Sequence, residues 1–400
     1  MSSVTAPRSA RTVEIEADGP AALLRDLVGH MPALGITRLA AQTGLDRIGI
    51  PCYAAIRPNS LTIASHQGKG IDDVSAQISA LMEAAEYAIS EAPETPSHRL
   101  SREQVAARGL RAMPVDHLLP RDAPWPADRP IRWVEGQQLP TGQTVLVPYD
   151  AVVLGVPPAD LPGLAQSSNG VAAATSHEAA LLHALCELVE RDAVCLWGFR
   201  PDAAALATAL DPAAFRDAEI SRLTARITAA GRRLHLFDLT GNTGLPCLYA
   251  VIAPGDGADR HFDAATGAAC HPVAAIAARR AIVEAAQTRI THIAGARDDI
   301  VDAEYDQRLA ASLAILTTAR PTDRPPPVGL PAATPPATQL AAVLAGLSQA
   351  RLDPPVVVTL GGDRCGITVL KAFVPGLEDR LTNRNWRPGR RAAAAMLGLL

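Results

Sequence analysis

The stretch AATSHEAALLHALCELVERD, residues 173–192, predicts a single amphipathic helix of about five turns. Residues three and four apart share a helix face, so this helix carries one charged stripe, which consists of His183, Glu187, Glu190 and Arg191. Most other positions are apolar, and the helix is therefore expected to be buried on most sides. Two buried carboxylates side by side are costly unless a cation or a hydrogen-bonding partner compensates them. The stretch therefore predicts a compensating group opposite the stripe.

The pattern of this helix occurs three times in the chain. Ala-x-x-x-Ala-Leu-x-Glu-x-x-Glu spans residues 180–190 and residues 76–86, and a third copy, with Ile for Leu and Gln for the last Glu, spans residues 277–287. The paired alanines predict close approach of neighbouring helices. Three helices with solvated acidic faces are the alternative interpretation, but the flanking residues are apolar. We therefore predict that the helices converge on one cavity and present to it Glu83, Glu86, Glu187, Glu190, Glu284 and Gln287.

Five carboxylates and one amide are hard oxygen ligands, which suit Mg²⁺ better than zinc. Mg²⁺ usually binds through a few carboxylates, several waters and substrate phosphates. Five carboxylates are more than one Mg²⁺ ion needs, which indicates several Mg²⁺ ions that bridge a polyphosphate. Arg191 and Arg289, each next to its motif, are predicted phosphate donors. A carboxylate-bridged di-iron site would need Glu-x-x-His pairs, and none of the three motifs contains one.

A Gly-Lys-Gly run at residues 68–70 lies between a predicted strand, residues 62–64, and a helix predicted to begin at Asp72 or Asp73. Glycines let a backbone approach a ligand, and a helix N-terminus favours anions. Lys69 is therefore predicted to contact the nucleotide. The Walker A pattern is absent, and a surface turn is the alternative interpretation.

A second polar segment, Ser-Ser-Asn-Gly at residues 167–170, precedes the central helix. Thr175 and Glu178 form a capping-box pattern at the start of that helix. The segment is predicted to direct the side chain of Asn169 toward the same cavity, and an ordinary turn is the alternative interpretation.

The bulk composition excludes several classes of protein. With a net charge of −4 and dispersed charges, the 400-residue chain has no basic stripe with interleaved aromatics, so no nucleic-acid partner is expected. No apolar run approaches the ~20 residues of a membrane span, and the first residues lack the apolar region of a secretory signal. We therefore predict a cytoplasmic protein without a membrane partner. The six cysteines show neither a Cys-x-x-Cys pair nor zinc-finger spacing, which predicts buried free thiols.

The order of helix and strand signals predicts a mixed α+β fold. Residues 1–19 are predicted to be a flexible leader and residues 20–316 a catalytic core. The Pro-rich residues 317–338 are predicted to be a loop or linker. Residues 339–400 are predicted to be the C-terminal part of the same domain, with an Ala- and Arg-rich tail.

Several of these stretches resemble the YcaO proteins, over roughly residues 20–315 and 355–380. The resemblance lies in GITRLAAQTGLDRIGIP (35–51), the Gly-Lys-Gly run followed by SALMEAAEY (79–87), SSNGVAAATSHEAALLHALCELVERDA (167–193), and EAAQTR (284–289) with GARDD (295–299). It implies a YcaO-type fold in which helices with ExxE and ExxQ stripes pack on mixed sheets around a site for ATP and Mg²⁺.

The resemblance also implies residue roles. The shell around Mg²⁺ and the nucleotide would consist of Glu83, Glu86, Glu187, Glu190, Glu284 and Gln287. Asn169 and Arg191 would contact phosphate or nucleotide, with Ser79 nearby, and catalysis would depend most directly on Glu187, Glu190 and Arg191. The chain departs from the family pattern at Tyr87, where the first motif usually ends in Arg. The basic residue that often completes the site from the N-terminus has only Arg11 as a candidate, with no matching Ser or Thr.

The chemistry that the resemblance implies is activation of a peptide backbone amide by ATP, followed by attack of a nucleophile at the carbonyl carbon. The tail RRAAAAMLGLL differs from the PxPxP tail that azoline-forming members often carry, and KAFVPGLEDR (371–380) resembles members that work with a TfuA partner. We therefore predict thioamide formation in a precursor peptide or protein, with a TfuA-like partner, a sulfide donor and a homodimeric enzyme. The alternatives are an azoline-forming cyclodehydratase and a non-catalytic nucleotide-binding accessory protein.

Overall fold

The computed structural model describes residues 19–123, 125, 127–255, 260–295, 300 and 302–399. Arg11, the predicted leader up to residue 18, and residues 296–299 of the GARDD stretch lie outside the described residues. Among the described helices, none combines the length and the apolar character that crossing a bilayer requires. All six cysteines are free thiols as predicted; five are buried and Cys365 is half-buried.

Helices and strands alternate along the chain, which confirms the predicted mixed α+β fold. The helices are α1 (Gly19–His30), α2 (Asp73–Glu91), α3 (Arg102–Ala107), α4 (His177–Trp197), α5 (Asp202–Leu206), α6 (Ala218–Ala229), α7 (Ala274–Ala294), α8 (Asp302–Tyr305), α9 (Ala311–Leu316), α10 (Pro336–Gln349) and α11 (Arg390–Met396). The strands are β1 (Arg38–Ala41), β2 (Cys52–Ile56), β3 (Ser65–Lys69), β4 (Ser97–Leu100), β5 (Arg111–Ala112), β6 (Ile131–Gln138), β7 (Gln143–Pro148), β8 (Val171–Ala174), β9 (Ala209–Leu210), β10 (Arg232–Asp238), β11 (Cys247–Pro254), β12 (Ala265–Cys270), β13 (Val356–Gly361) and β14 (Thr368–Phe373).

The strands form three sheets. One has the order β1-β2-β3, a second the order β12-β11-β10-β9, and the largest the order β5-β7-β6-β13-β14-β8, with β4 paired to β6. Pairing is antiparallel except between β5 and β7. The motif-bearing helices α2 and α7 each pack on one of the two smaller sheets, whereas α4 lies against β8 and β14 of the large sheet. The three sheets thus hold the three helices around a common centre.

The central helix begins four residues later than its sequence predicts. Val171–Ala174 is strand β8, paired antiparallel with β14 so that Ala172 faces Leu370. Its backbone groups are satisfied by this ladder rather than by a helix. Ser176 is the N-cap, and its Oγ accepts a hydrogen bond from Ala179 N at 3.2 Å. The prediction of a helix start at residue 173 with a cap at Thr175 is therefore wrong, and the helix also continues past Asp192 to Trp197.

Helices α2 and α7 each contact the backbone of a strand beside their motif alanines. A Cβ on Gly68 of β3 would lie 2.0 Å from Ala80 N and 2.2 Å from Ala76 O. A Cβ on Gly267 of β12 would lie 2.4 Å from both Ala281 O and Ala285 N. Real Cβ contacts are longer than this, so each helix touches a strand backbone at a glycine. The close approach at the motif alanines thus includes strands, and each motif-bearing helix also packs on another helix: α2 on α1, α4 on α10 and α7 on α6.

The C-terminal end of α2 is fixed by a buried ion pair. Glu91 accepts hydrogen bonds from Arg57 Nη2 at 2.8 Å, Ser60 Oγ at 2.6 Å and Thr62 Oγ1 at 2.7 Å. Burial by itself would raise the pKa of this carboxyl, but the hydrogen bonds from Arg57, Ser60 and Thr62 outweigh it and lower the pKa to about 2. The network joins α2 to the loop after β2 and so helps to fix the position of the helix that carries Glu83.

Glu91→Gln is expected to lower the free energy of unfolding by about 3 kcal/mol at neutral pH, because it removes the charge that Arg57 neutralises. The folded pKa of about 2 lies below the ordinary 4.5, so the carboxylate stabilises the protein above pH 4.5 and loses this effect as the pH falls toward 2. Denaturant unfolding of both proteins between pH 7 and pH 2 should show the difference shrinking on acidification. Glu94→Gln, at a half-exposed side chain, is the control; a difference independent of pH would contradict the prediction.

Candidate functional site

Helices α2, α4 and α7 bring their acidic stripes together, as the three sequence motifs predict. The charges of Glu187 and Glu83 act on Glu86, and those of Glu284 and Glu187 act on Glu190. Burial, reinforced by these like charges, raises the pKa of Glu86 and Glu190 well above the usual range. Burial also raises the pKa of Glu187. The structure therefore gathers five carboxylates, and for three of them, Glu86, Glu187 and Glu190, the protein does not fully compensate the negative charge.

Two predicted cations lie among these carboxylates. Lys69 Nζ lies 3.0 Å from Glu284 Oε2, and the charges of Glu83 and Glu190 also act on it. Arg191 Nη1 lies 3.7 Å from Glu190 Oε1. Helix α2 begins at Asp73 as predicted, but the strand before it is Ser65–Lys69 rather than residues 62–64, so the prediction that Lys69 lies in a loop is wrong. The side chain of Lys69 nevertheless reaches the carboxylates. It bridges β3 and α7 as an ion pair.

Two buried polar atoms at this place have no partner within the described residues. Asn169 Oδ1 and Arg191 Nε are both buried without a hydrogen bond. Buried polar groups are almost always paired with protein, water or ligand. An unpaired acceptor and an unpaired guanidinium N–H beside clustered carboxylates fit a ligand that offers metal ions, hydroxyl groups and phosphate oxygens. A magnesium nucleotide has all three.

The carboxylates do not by themselves enclose a single ion. Across the described ranges, no three His, Cys, Asp or Glu side chains are close enough around one point to hold a metal. Mg²⁺ usually takes one or two carboxylates and fills its octahedral shell with waters and phosphates, so a bound magnesium nucleotide would not need three protein ligands around one ion. The residues that would hold such ions are Glu83, Glu86, Glu187, Glu190 and Glu284.

The remaining predicted residues divide into two groups. Ser79 is four positions before Glu83 and so shares its face of α2. Gln287 continues the α7 stripe, and its Nε2 donates to the carbonyl of Gln67 in β3 at 2.6 Å. Arg289 is engaged elsewhere: its Nε lies 2.9 Å from Asp46 Oδ2. Ser79 and Gln287 therefore lie on the helix faces that carry the carboxylates, whereas Arg289 has a different partner.

Arg280 is a site residue that the sequence analysis missed. It lies four residues before Glu284, as Ser79 lies before Glu83 and His183 before Glu187. Its charge and that of Glu190 act on each other. Extending the motif by one helical turn toward the N-terminus would have found it, because residues four apart share a face.

A C-terminal strap, residues 378–392, fastens onto the helix that carries Glu190 and Arg191. The guanidinium of Arg391 binds both oxygens of Asp192, with Nε–Oδ1 at 2.9 Å and Nη2–Oδ2 at 2.7 Å. Glu378 N donates to Asp192 Oδ1 at 3.0 Å, and the Glu378 carboxylate accepts from Trp386 Nε1 at 3.0 Å. All of these charged groups are buried. The strap therefore fixes the C-terminal half of α4.

A cavity of about 440 Å³ lies against the strap. Ser167, Asn169 and Lys371 line one wall, and Leu188, next to Glu187, contributes to the lining. Strap residues that include Trp386 line it as well. The unpaired Asn169 thus borders a cavity large enough for a short peptide segment.

A mixed α+β fold with carboxylates gathered from three helices fits a class of proteins that bind a nucleotide together with Mg²⁺. Residues 67–378 match the model of a family described as YcaO cyclodehydratase, ATP- and Mg²⁺-binding. The chain belongs to the YcaO family, which confirms the resemblance, and the prediction of ATP and Mg²⁺ as cofactors is confirmed with it. The family includes ATP-dependent enzymes that modify peptides.

Individual relatives agree with this assignment. The chain is 41% identical over 302 residues, 74% of its length and 71% of the relative's, to a protein named for its place in the tfuA 3′ region of Rhizobium leguminosarum bv. trifolii. It resembles the structure of YcaO from Methanopyrus kandleri bound with AMPPCP and Mg²⁺, at TM-score 0.69 and 22% identity, over 90% of this chain and 91% of that one. It also resembles a heterocyclase in complex with substrate and cofactor, at TM-score 0.74 and 21% identity, covering 94% of this chain but 55% of the heterocyclase.

Proposed function

We propose that the protein uses ATP to activate a backbone amide of a ribosomally made peptide or protein, and that sulfur then replaces the amide oxygen to give a thioamide. The observation that carries the proposal is the convergence of five carboxylates from α2, α4 and α7 beside a peptide-sized cavity. The relative from the tfuA 3′ region supports a TfuA-type partner that supplies sulfide. We propose a homodimer as well, which sedimentation of the purified protein would test.

The overall reaction is a balanced exchange without oxidation or reduction. The amide oxygen forms a bond to the γ-phosphorus of ATP as the bond to ADP breaks. Hydrosulfide adds at the amide carbon, the carbon–oxygen bond breaks, and phosphate leaves with the original oxygen. When bound, ATP would supply the phosphoryl group, and Mg²⁺ would neutralise part of its negative charge. Such transfers depend mainly on positioning and electrostatics, which agrees with a site rich in metal ligands.

The chain's own residues divide this work. Glu83, Glu86, Glu187, Glu190 and Glu284 hold the ions, and Arg191, Arg280 and Lys69 supply positive charge at the edge of the group. Asn169 is a polar group in the lining of the cavity, and Ser79 and Gln287 lie on the faces of α2 and α7 that carry Glu83 and Glu284. The buried salt bridge between Asp192 and Arg391 keeps α4 in place while the ligands bind.

The direct test is to incubate the protein with ATP, Mg²⁺, a sulfide source, a TfuA-type partner and the peptide from its gene neighbourhood. A mass gain equal to the exchange of one oxygen for one sulfur is expected in the peptide. A loss of one water would instead establish the second candidate, azoline cyclodehydration, which the name of the family model favours. Unmodified peptide with intact nucleotide binding would identify a non-catalytic accessory protein. Either of the last two results would overturn the thioamide proposal.

A further inference from the structure

The chain contains only two lysines among its 37 lysines and arginines, Lys69 and Lys371, and the structure places both beside the carboxylate group. Lys69 has a carboxylate partner, Glu284, at 3.0 Å. Lys371, on the interior strand β14, is 3% exposed, and in the described part of the chain it forms no ion pair within 4.0 Å. The chain uses arginine at its other 35 Lys or Arg positions. At Lys371 it instead buries an ammonium group without an ion-pair partner, beside the carboxylate group.

The contacts of Lys371 are neutral. Its Nζ donates to the carbonyl of Ser167 at 2.6 Å and lies 5.5 Å from the centre of the Phe373 ring. The nearest acidic groups that act on it are Asp379 and Glu187, and burial lowers the pKa of the amine to about 8. A buried ammonium without an anion is unfavourable. The side chain is therefore a compact positive charge placed where a small anion would compensate it.

The amine stands at the wall of the cavity rather than inside the nucleotide shell. Ser167, whose carbonyl accepts its hydrogen bond, lines the cavity together with Asn169 and Lys371. A ligand in the cavity would therefore lie against the side chain of Lys371. Glu187 of the carboxylate group is one of the two acidic groups that act on this amine, so the cavity borders the carboxylate group at Lys371.

We propose that Lys371 binds the anionic sulfur nucleophile, hydrosulfide, at the inner wall of this cavity. The proposal rests on the thioamide-forming function proposed above. An anion that approaches a triphosphate surrounded by carboxylates is repelled, and a buried ammonium offsets that repulsion. A Cys, Ser or Thr of the peptide, the nucleophile of azoline formation, is neutral and would not need this charge.

The step that Lys371 serves conserves electrons. The sulfur lone pair forms the carbon–sulfur bond, the bond from carbon to the phosphorylated oxygen breaks, and the proton left on sulfur passes to solvent. Lys371 keeps its proton throughout and contributes charge and one hydrogen bond. It is a catalytic residue in the sense that it touches a reactant, and its effect is confined to the binding of sulfide.

Lys371→Met is expected to raise the KM for sulfide about 10- to 100-fold, the effect of losing a hydrogen bond to a charged group. The kcat at saturating sulfide and the KM for ATP should not change, because the lost interaction is one of ground-state binding. Lys371→Arg keeps the charge and should restore most of the affinity. Arg364→Met, which removes an exposed cation remote from the cavity, is the control. An unchanged KM for sulfide, or a raised KM for ATP, would overturn the proposal.

A second measurement separates this inference from the proposed function. Sulfide added without peptide should raise the melting temperature of the wild type and have little effect on Lys371→Met, because a ligand stabilises the state that binds it. Loss of thioamide formation in the wild type with retained sulfide stabilisation would overturn only the proposed function. Met should not destabilise the ligand-free protein, since it removes an unpaired buried charge. A lower melting temperature without sulfide would assign Lys371 a structural role instead.

Discussion

Glu190→Gln is expected to decrease Mg²⁺-dependent ATP turnover by ~100- to 1,000-fold while it makes the ligand-free protein more stable. Burial, Glu284 and Glu187 raise the pKa of Glu190 well above the ordinary value, so its negative charge destabilises the fold in the absence of ions. A neutral side chain of the same shape removes that cost and should add about 1 kcal/mol or more to the free energy of unfolding. It also removes an ion ligand, so stability and activity should change in opposite directions.

Thermal unfolding of both proteins, with and without Mg²⁺ and ATP, measures both effects. The wild type should gain stability on adding the ligands, and Glu190→Gln should start higher and gain less. Glu178→Gln is the matched control, because Glu178 lies in the first turn of the same helix and is exposed. A ligand-free Glu190→Gln protein that is less stable than the wild type would show that the carboxylate is compensated by the protein alone.

Gly267→Ala is expected to lower the free energy of unfolding by about 3 kcal/mol and to abolish nucleotide binding. The added Cβ would lie 2.4 Å from Ala281 O and Ala285 N and 2.7 Å from Glu284 Cβ. Two of these atoms are helix backbone, so α7 as a whole must move away from β12. Glu284 moves with it, and the shell loses the carboxylate that pairs with Lys69.

Denaturant unfolding and nucleotide titration of Gly267→Ala would measure the two losses. Gly29→Ala is the control for the chemical change, because no atom lies within 4 Å of its added Cβ and the residue is in helix α1. That variant should be stabilised by up to ~1 kcal/mol through helix propensity. Unaltered nucleotide affinity in Gly267→Ala would mean that α7 can shift without moving Glu284 out of the shell.

The sequence was most informative where periodicity and chemistry coincide. The acidic stripes of α2, α4 and α7 repeat at helical spacing, and the helices form where that spacing predicts them. The start of α4 was mispredicted because Val171–Ala174 has no strong strand composition and becomes a strand only by pairing with β14, some 200 residues later. Strand β12, with the sequence ATGAAC, likewise has no strong strand composition and forms by pairing with β11.

The sequence predicts which site residues share a helix face, but it does not predict which residues from distant segments of the chain reach the site. Arg289 follows the third motif and is therefore predicted to contact the nucleotide. It lies two residues after Gln287, however, and two residues correspond to a rotation of roughly 200° about the helix axis. Its side chain therefore points away from Gln287 and pairs with Asp46 instead. Lys371 and the strap reach α4 from the far end of the chain. No local pattern records such contacts, because they depend on sheet order and on the docking of remote segments.

The ion pair between Asp192 and Arg391 has a consequence for synthesis of the protein. The two residues are 199 positions apart, so a ribosome adding about 5–20 residues per second leaves Asp192 without Arg391 for roughly 10 to 40 s. During that time α4 carries a carboxylate that the native fold buries. The helix on which the nucleotide site is centred therefore reaches its final position only after translation has passed residue 391.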